Sequence, residues 1–256
     1  MTQPREIRHY GWIPDVPDQR DHLYAAPAPI LKALPPSSDL RKQCPPVYDQ
    51  GMLGSCTANA IAATVEFDRM KQRLDDFVPS RLFIYYNERV IEGTVPIDSG
   101  AMLRDGIKTV ASDGVCPERE WPYDITKFTR KPPKICYEDA KLDRAVSYQS
   151  IIQDLNQMKG CLASGYPFIF GFTVYESFEG EAVKKTGHAP MPGWGERPVG
   201  GHAVMAVGFD DAKQWFVVRN SWGDEWGIKG YFTMPYAYLI QAGLARDFWT
   251  IRLVGK

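Results

Sequence analysis

Apolar positions recur at helical spacing through the middle of the chain. Ala58, Ile61, Ala62 and Val65 fall at i, i+3, i+4 and i+7, which predicts a helix from Thr57. Ser80 is a good N-cap for a second helix; Leu82, Tyr85, Tyr86 and Val90 make its stripe, and Gly93 is a good stop. Leu103, Ile107, Val110 and Ala111 mark a third. The pattern then changes. "FIFGFTV" (168–174), "HAVMAVGF" (202–209), "WFVVRN" (215–220) and "GYFTM" (230–234) are β-branched and aromatic runs bounded by Gly, Asp and Asn, as in an antiparallel sheet. A helical half followed by a sheet half predicts an α+β fold of two lobes with a cleft between them. The boundaries expected are an extended segment over 1–38, a mainly helical lobe over 39–150 and a mainly antiparallel β lobe over 151–256.

The start of the chain fits neither pattern. Residues 1–46 hold nine of the twenty prolines and show little periodicity, which suits an extended segment. Yet Tyr10, Trp12, Ile13, Leu23, Tyr24, Ile30, Leu31 and Leu34 are many apolar groups for a free tail. The segment is expected to pack on the rest of the protein.

Composition narrows the function classes. The net charge is −1 with both signs interspersed, so no electrostatic footprint for nucleic acid or an anionic membrane exists. The N-terminus has no apolar run that would read as a secretory signal, which points to the cytoplasm or to export by a route that reads no such signal. Five cysteines leave at least one unpaired within the chain, and no C-x-x-C pair supports a zinc site.

The candidate chemistry centres on "DQGMLGSCTANA" (49–60). Cys56 would stand in the first turn of the first helix, where free N–H groups carry partial positive charge and favour thiolate over thiol. A thiolate is the useful nucleophile, and its own N–H can face a developing oxyanion. Gly51 and Gly54 let the preceding turn bring backbone close to a substrate. His202 opens a strand directly after Gly200 and Gly201, so a rigid element holds its ring. Asn220 follows eighteen residues later; its amide can accept from one imidazole nitrogen and leave the other for the sulfur. Trp222 would roof that hydrogen bond and exclude water.

Assembled, these residues resemble the papain family of cysteine peptidases. The matching stretches are "QGMLGSC" (50–56), "GGHAVMAVGF" (200–209) and "NSWGDEWGIKGY" (220–231), in the family order Gln50, Cys56, His202, Asn220. Cys56 and His202 are 146 residues apart, inside the spacing of roughly 130–150 that such enzymes use. The resemblance covers about Asp39 to the C-terminus. It implies a helical lobe carrying the nucleophile and an antiparallel, barrel-like β lobe carrying His202 and Asn220. It further implies an endopeptidase that works through a thioester acyl-enzyme on peptide or protein substrates, with Gln50 lining the oxyanion hole and no metal or organic cofactor. Ser99 and Gly100 are implied to bind an extended substrate through their backbone, and Gly201 and Trp222 to line the cleft. "AGLARDFW" (242–249) aligns loosely with the floor of the main specificity pocket and would put Asp247 near its base; a surface pair with Arg246 or a fold-stabilising acid is the competing reading.

The sequence also departs from the family. Leu53 stands where most members have a disulfide-forming cysteine, and Thr57 replaces the common tryptophan after the nucleophile. The usual disulfide framework is at least partly absent, as in a reducing compartment. A Cys116–Cys136 bridge stays open, and Cys44, Cys116, Cys136 and Cys161 are read as structural thiols. The segment before the mature-like start is short and Pro-rich where family propeptides are longer and helical; it is expected to cross or flank the cleft and limit access. A silent peptide-binding relative and an acyl-transfer use of the same site are the alternatives.

Overall fold

A computed structural model describes residues 10–255. The chain opens on strands β1 (Trp12–Ile13) and β2 (Leu23–Tyr24), a short helix α1 (Ala28–Lys32) and strand β3 (Ser37–Asp39). The helical part follows with α2 (Cys56–Lys71), α3 (Arg81–Glu92), strand β4 (Ala101–Met102), α4 (Leu103–Ser112) and α5 (Lys134–Ala140). The sheet part holds β5 (Arg144–Ile151), α6 (Leu155–Ala163), β6 (Phe168–Tyr175), α7 (Glu181–Thr186), β7 (Pro198–Asp210), β8 (Trp215–Arg219), β9 (Tyr231–Pro235), α8 (Tyr236–Ile240) and β10 (Ala245–Gly255). The architecture is α+β with two lobes.

The sheet runs β2-β5-β10-β6-β7-β8-β9, with β3 paired to β7. Its pairings are antiparallel apart from β2, which lies parallel to β5. Phe168, Phe170 and Phe172 alternate along β6 onto one face and meet Phe216, Phe248 and Phe232 there. β5 begins at Arg144, so the sheet takes in residues on both sides of the expected boundary at 150.

Local chemistry explains the helices that hold the site. Ser80 accepts from the Phe83 N–H at 3.2 Å and caps α3, and Gly93 ends it at φ 70°. Helix α2 is buried from Cys56 to Arg69, on all sides, because it lies between α3, α4 and the sheet. Its head faces β7. Among the described residues, no helix is long and apolar enough to cross a membrane.

Residues 10–39 are tied down along their length. β1 pairs with β4, β2 with β5 and β3 with β7, and the Ala26 N–H donates to Gln157 at 2.7 Å. Trp12, Tyr24 and Ala26 are buried. The first nine residues of the expected covering segment lie outside the described residues.

Candidate active site

Cys56 is the first residue of α2. Ser55 precedes it but does not cap the helix with its side chain; its hydroxyl meets the Tyr123 hydroxyl at 2.5 Å and accepts from Asn59. The first-turn N–H groups are therefore left facing the sulfur and whatever binds there. Gln50, six residues before, is 2% exposed and held at both ends. Its Oε1 accepts from the Ser221 hydroxyl at 2.6 Å and its Nε2 donates to the Leu53 carbonyl at 2.9 Å. One Nε2 hydrogen remains for an oxyanion.

His202 comes from β7 and Asn220 from the end of β8. Their side chains meet at 2.8 Å between His202 Nε2 and Asn220 Oδ1. Asn220 Oδ1 also accepts from the Ser221 N–H at 2.9 Å, so the amide is oriented from its own turn. Trp222 stacks on the imidazole at 4.8 Å and 24°, and Phe172 meets it edge-on at 5.7 Å. Trp226 and Phe178 back Trp222 in turn. An aromatic wall thus fixes the ring plane and keeps water from the His202–Asn220 bond.

The pull of the helix N-terminus toward a thiolate is opposed here by burial. Burial pushes the Cys56 thiol up to about 12, although N–H groups of Ala203, Gly11 and Thr57 point at the sulfur and pull the other way. The physical reason is the covering segment. Cys56 has no exposed surface, and the Gly11 N–H of that segment points at its sulfur.

This cover passes through a slot cut by glycines. A Cβ on Gly11 would sit 1.7 Å from the Gly54 carbonyl oxygen, and one on Gly100 would sit 2.3 Å from the Gly11 carbonyl oxygen. Gly200 and Gly201 leave room for Tyr10 and Trp12 on the opposite wall. The Gly11 carbonyl accepts from the Ala101 N–H at 2.7 Å. Trp12 and Ile13 continue parallel to Ala101 and Met102. Tyr10 lies against His202 and Trp222 at ring distances of 6.0 and 6.4 Å, and its hydroxyl donates to Glu179 at 2.5 Å.

The wall residues divide differently from expectation. The Gly100 N–H bonds the Tyr85 hydroxyl at 3.1 Å, and the Ser99 hydroxyl turns to Thr94 and to the Gly100 carbonyl. Ala101, not Gly100, donates to the chain in the cleft. Gly100 contributes its missing side chain and its φ of 74°.

Trp12 fills a pocket. Its indole covers Gly171 and Gly201; a Cβ on Gly171 would lie 1.9 Å from the indole ring. Asp247 sits by the tip of that indole, and its carboxylate accepts from the Asp15 N–H at 2.8 Å. Asp15 in turn accepts from the Arg104 N–H at 3.1 Å and the Trp249 indole N–H at 2.9 Å. Burial, then the facing Asp247, raises the Asp15 carboxyl to about 7; burial raises Asp247 as well. Arg104 also forks onto Asp21, which anchors the segment a turn further on.

Sequence reasoning missed Gly11, Ala101, Gly171 and Ser221. The signal for Gly11 was its place between Tyr10 and Trp12, a glycine that frees the backbone between two aromatic anchors. Ala101, Gly171 and Ser221 give no local signal.

Residues 34–249 match the model of the papain family cysteine proteases. An uncharacterised peptidase C1-like protein of Acanthamoeba polyphaga mimivirus is 45% identical, over 96% of this chain and 88% of its own. Cathepsin B-like CP2 of Giardia intestinalis is 30% identical, over 78% of this chain and 69% of its own. Among solved structures, xylellain, a cysteine protease from Xylella fastidiosa, superposes with a TM-score of 0.89 at 46% identity, covering 98% of each chain. Digestive procathepsin L 3 from Tenebrio molitor larval midgut shares the fold, with a TM-score of 0.71 at 19% identity over 92% of this chain and 75% of its own.

Proposed function

This chain belongs to the papain family of cysteine proteases, and from that premise we propose that it cuts peptide bonds through a thioester acyl-enzyme on Cys56. The observation that carries the reading is the convergence of Cys56, His202, Asn220 and Gln50 at the head of α2. In the covered form the sulfur is a buried thiol. Withdrawal of residues 10–15 readmits water and lets the α2 N-terminus and His202 draw its proton. The thiolate attacks the scissile carbonyl carbon, and the carbonyl π electrons move to oxygen. Gln50 Nε2 and the Cys56 N–H donate to that oxyanion. Its collapse breaks the C–N bond as His202 gives its proton to the leaving amine. Water, deprotonated by His202, then cleaves the thioester and regenerates the thiol. Asn220 keeps the imidazole in line for both transfers.

The cover supports a latent enzyme, in which Gly11 stands where a substrate's reacting peptide would lie. Trp12 supports a specificity pocket that takes a large side chain, with Asp247 at its far end. An acid there would also accept Arg or Lys, so Asp247→Ala is expected to lower cleavage after X-Arg more than after X-Leu. Equal losses would remove Asp247 from the pocket.

The test is acyl-enzyme trapping with a slow ester or peptide substrate at acid quench, read by peptide mass. An adduct on Cys56, absent in Cys56→Ala, is the expected result. Partition of that adduct to an added amine rather than to water would favour the acyl-transfer use of the site. An absence of adduct and of turnover with Gly11→Ala, which unseats the cover, would leave a peptide-binding protein.

A further inference from the structure

Cys116 and Cys136 sit far from the nucleophile in sequence role and share a second buried cluster. Both are without exposed surface and both are thiols. Cys116 lies in the segment that pairs with the start of α3, where its carbonyl accepts from the Ser80 N–H at 2.9 Å. Cys136 lies in α5. Their sulfurs and a carboxylate oxygen of Glu120 all lie within 4.8 Å of one another. Glu120 Oε2 is buried with no hydrogen-bond partner, while Oε1 faces Arg119 only at 3.8 Å. Asp139, three residues after Cys136 and so on the same helix face, lies near Glu120 and raises its carboxyl.

We propose that Cys116, Cys136 and Glu120 form a binding site for a soft divalent cation of the zinc class, as two thiolates and one carboxylate. Water takes the fourth position. On binding, two S–H bonds are lost, two metal–thiolate bonds form and two protons pass to solvent. Without a cation, burial and the neighbouring thiol raise the Cys116 thiol, and burial and Asp139 raise the Glu120 carboxyl. The cluster is a set of groups that would all carry negative charge, with one distant arginine to balance them. Thiolate and carboxylate together select zinc over magnesium or calcium. The usual spacing rule does not see such a site, because its ligands come from two segments twenty residues apart.

The site would close the ends of the loop between α4 and α5. That loop carries Glu118, which forks with Arg81, and Tyr123, which donates to the Gln50 carbonyl at 3.0 Å. A cation there would stiffen the support beneath the turn that carries Gln50.

The experiment uses the full chain carrying Cys56→Ser, prepared under reductant, stripped with a chelator and titrated with cobalt(II). A saturable thiolate-to-cobalt charge-transfer band with tetrahedral visible bands, at one equivalent, is expected. Cys116→Ser and Cys136→Ser should each abolish it. Glu120→Gln, which keeps shape and fold, should weaken affinity by at least about 10–100-fold, the loss seen even for outer-shell partners. Zinc should raise the melting temperature of the Cys56→Ser protein and not of Cys136→Ser. Bands that survive both cysteine changes, or a failure to bind cobalt in the reduced parent, would overturn the proposal. So would a Cys116–Cys136 disulfide found by peptide mapping of protein kept under reductant.

Discussion

Gln50 is the residue whose partners most constrain its role. Ser221 holds its oxygen and Leu53 one of its amide hydrogens, so the amide cannot flip and its second N–H has a fixed direction. Gln50→Ala is expected to lower kcat/KM by about 10²–10³-fold, the usual cost of one oxyanion donor. It would also leave the Ser221 hydroxyl without its acceptor. Gln50→Glu separates the two effects, because it keeps an acceptor for Ser221 and removes the donor. It should lose as much activity as Gln50→Ala while its melting temperature stays nearer the parent's. Full activity in Gln50→Glu, measured on a dipeptidyl amide, would remove Gln50 from the oxyanion hole. Gln50, Cys56, His202 and Asn220 were legible in the sequence because their chemistry restricts both residue type and order. Ser221 was not, since Asn-Ser followed by Trp-Gly reads equally well as a plain turn.

At the scale of elements, legibility followed how one-sided each element's environment is. Helix α3 has a serine cap and a glycine stop, and both were readable; of its expected stripe Leu82 and Tyr85 are buried, but Tyr86 is half-buried and Val90 exposed, because the helix buries Phe83, Ile84 and the polar Arg81, Asn87, Glu88 and Arg89 instead. Helix α2 is buried all round, with Glu66, Asp68 and Arg69 inside, so its apolar face marks only part of what it buries. Strand β10 carries Arg246, Asp247 and Arg252, and β5 alternates weakly; neither looked like a strand until each had the other as partner. β1 is two residues long and has no pattern of its own. Its place is set by the absence of side chains on Gly11, Gly54, Gly100, Gly171 and Gly201, a tertiary fact. Gly11→Ala puts a methyl group into the Gly54 carbonyl and should unseat β1 while the core, which Gly11 does not enter, stays folded. Alkylation of Cys56 by a peptidyl epoxide is expected to quicken by at least about tenfold, the equivalent of about 1.4 kcal/mol of lost docking. An unchanged rate with an unchanged circular dichroism spectrum would mean that β1 does not limit access.

The whole molecule joins cover and core through a pair of like charges. Asp15 on the cover faces Asp247 on β10. Arg104 and Trp249 also address Asp15 through their N–H groups, and the Arg104 and Arg246 guanidinium groups oppose the charge. Docking raises the Asp15 carboxyl from an ordinary value near 3.9 to about 7, burial first and Asp247 second. The docked form therefore holds more protons than the released form between those two values. Its stability is complete below about pH 4, falls as pH rises and is lost through about pH 7. The cover should be tight in acid and loosen toward neutrality. Amide exchange over residues 11–16, corrected with an unstructured reference peptide, should accelerate across that window. Asp247→Asn removes the facing charge, keeps an oxygen for the Asp15 N–H and suits the φ of 59° that position adopts, since asparagine tolerates that region. It is expected to return Asp15 toward its ordinary value, flatten the exchange profile and leave the cover more firmly docked at neutral pH than in the parent. A profile that keeps its slope in Asp247→Asn would show that the two carboxyls do not set the opening, and would move the pH dependence to groups elsewhere on the cover.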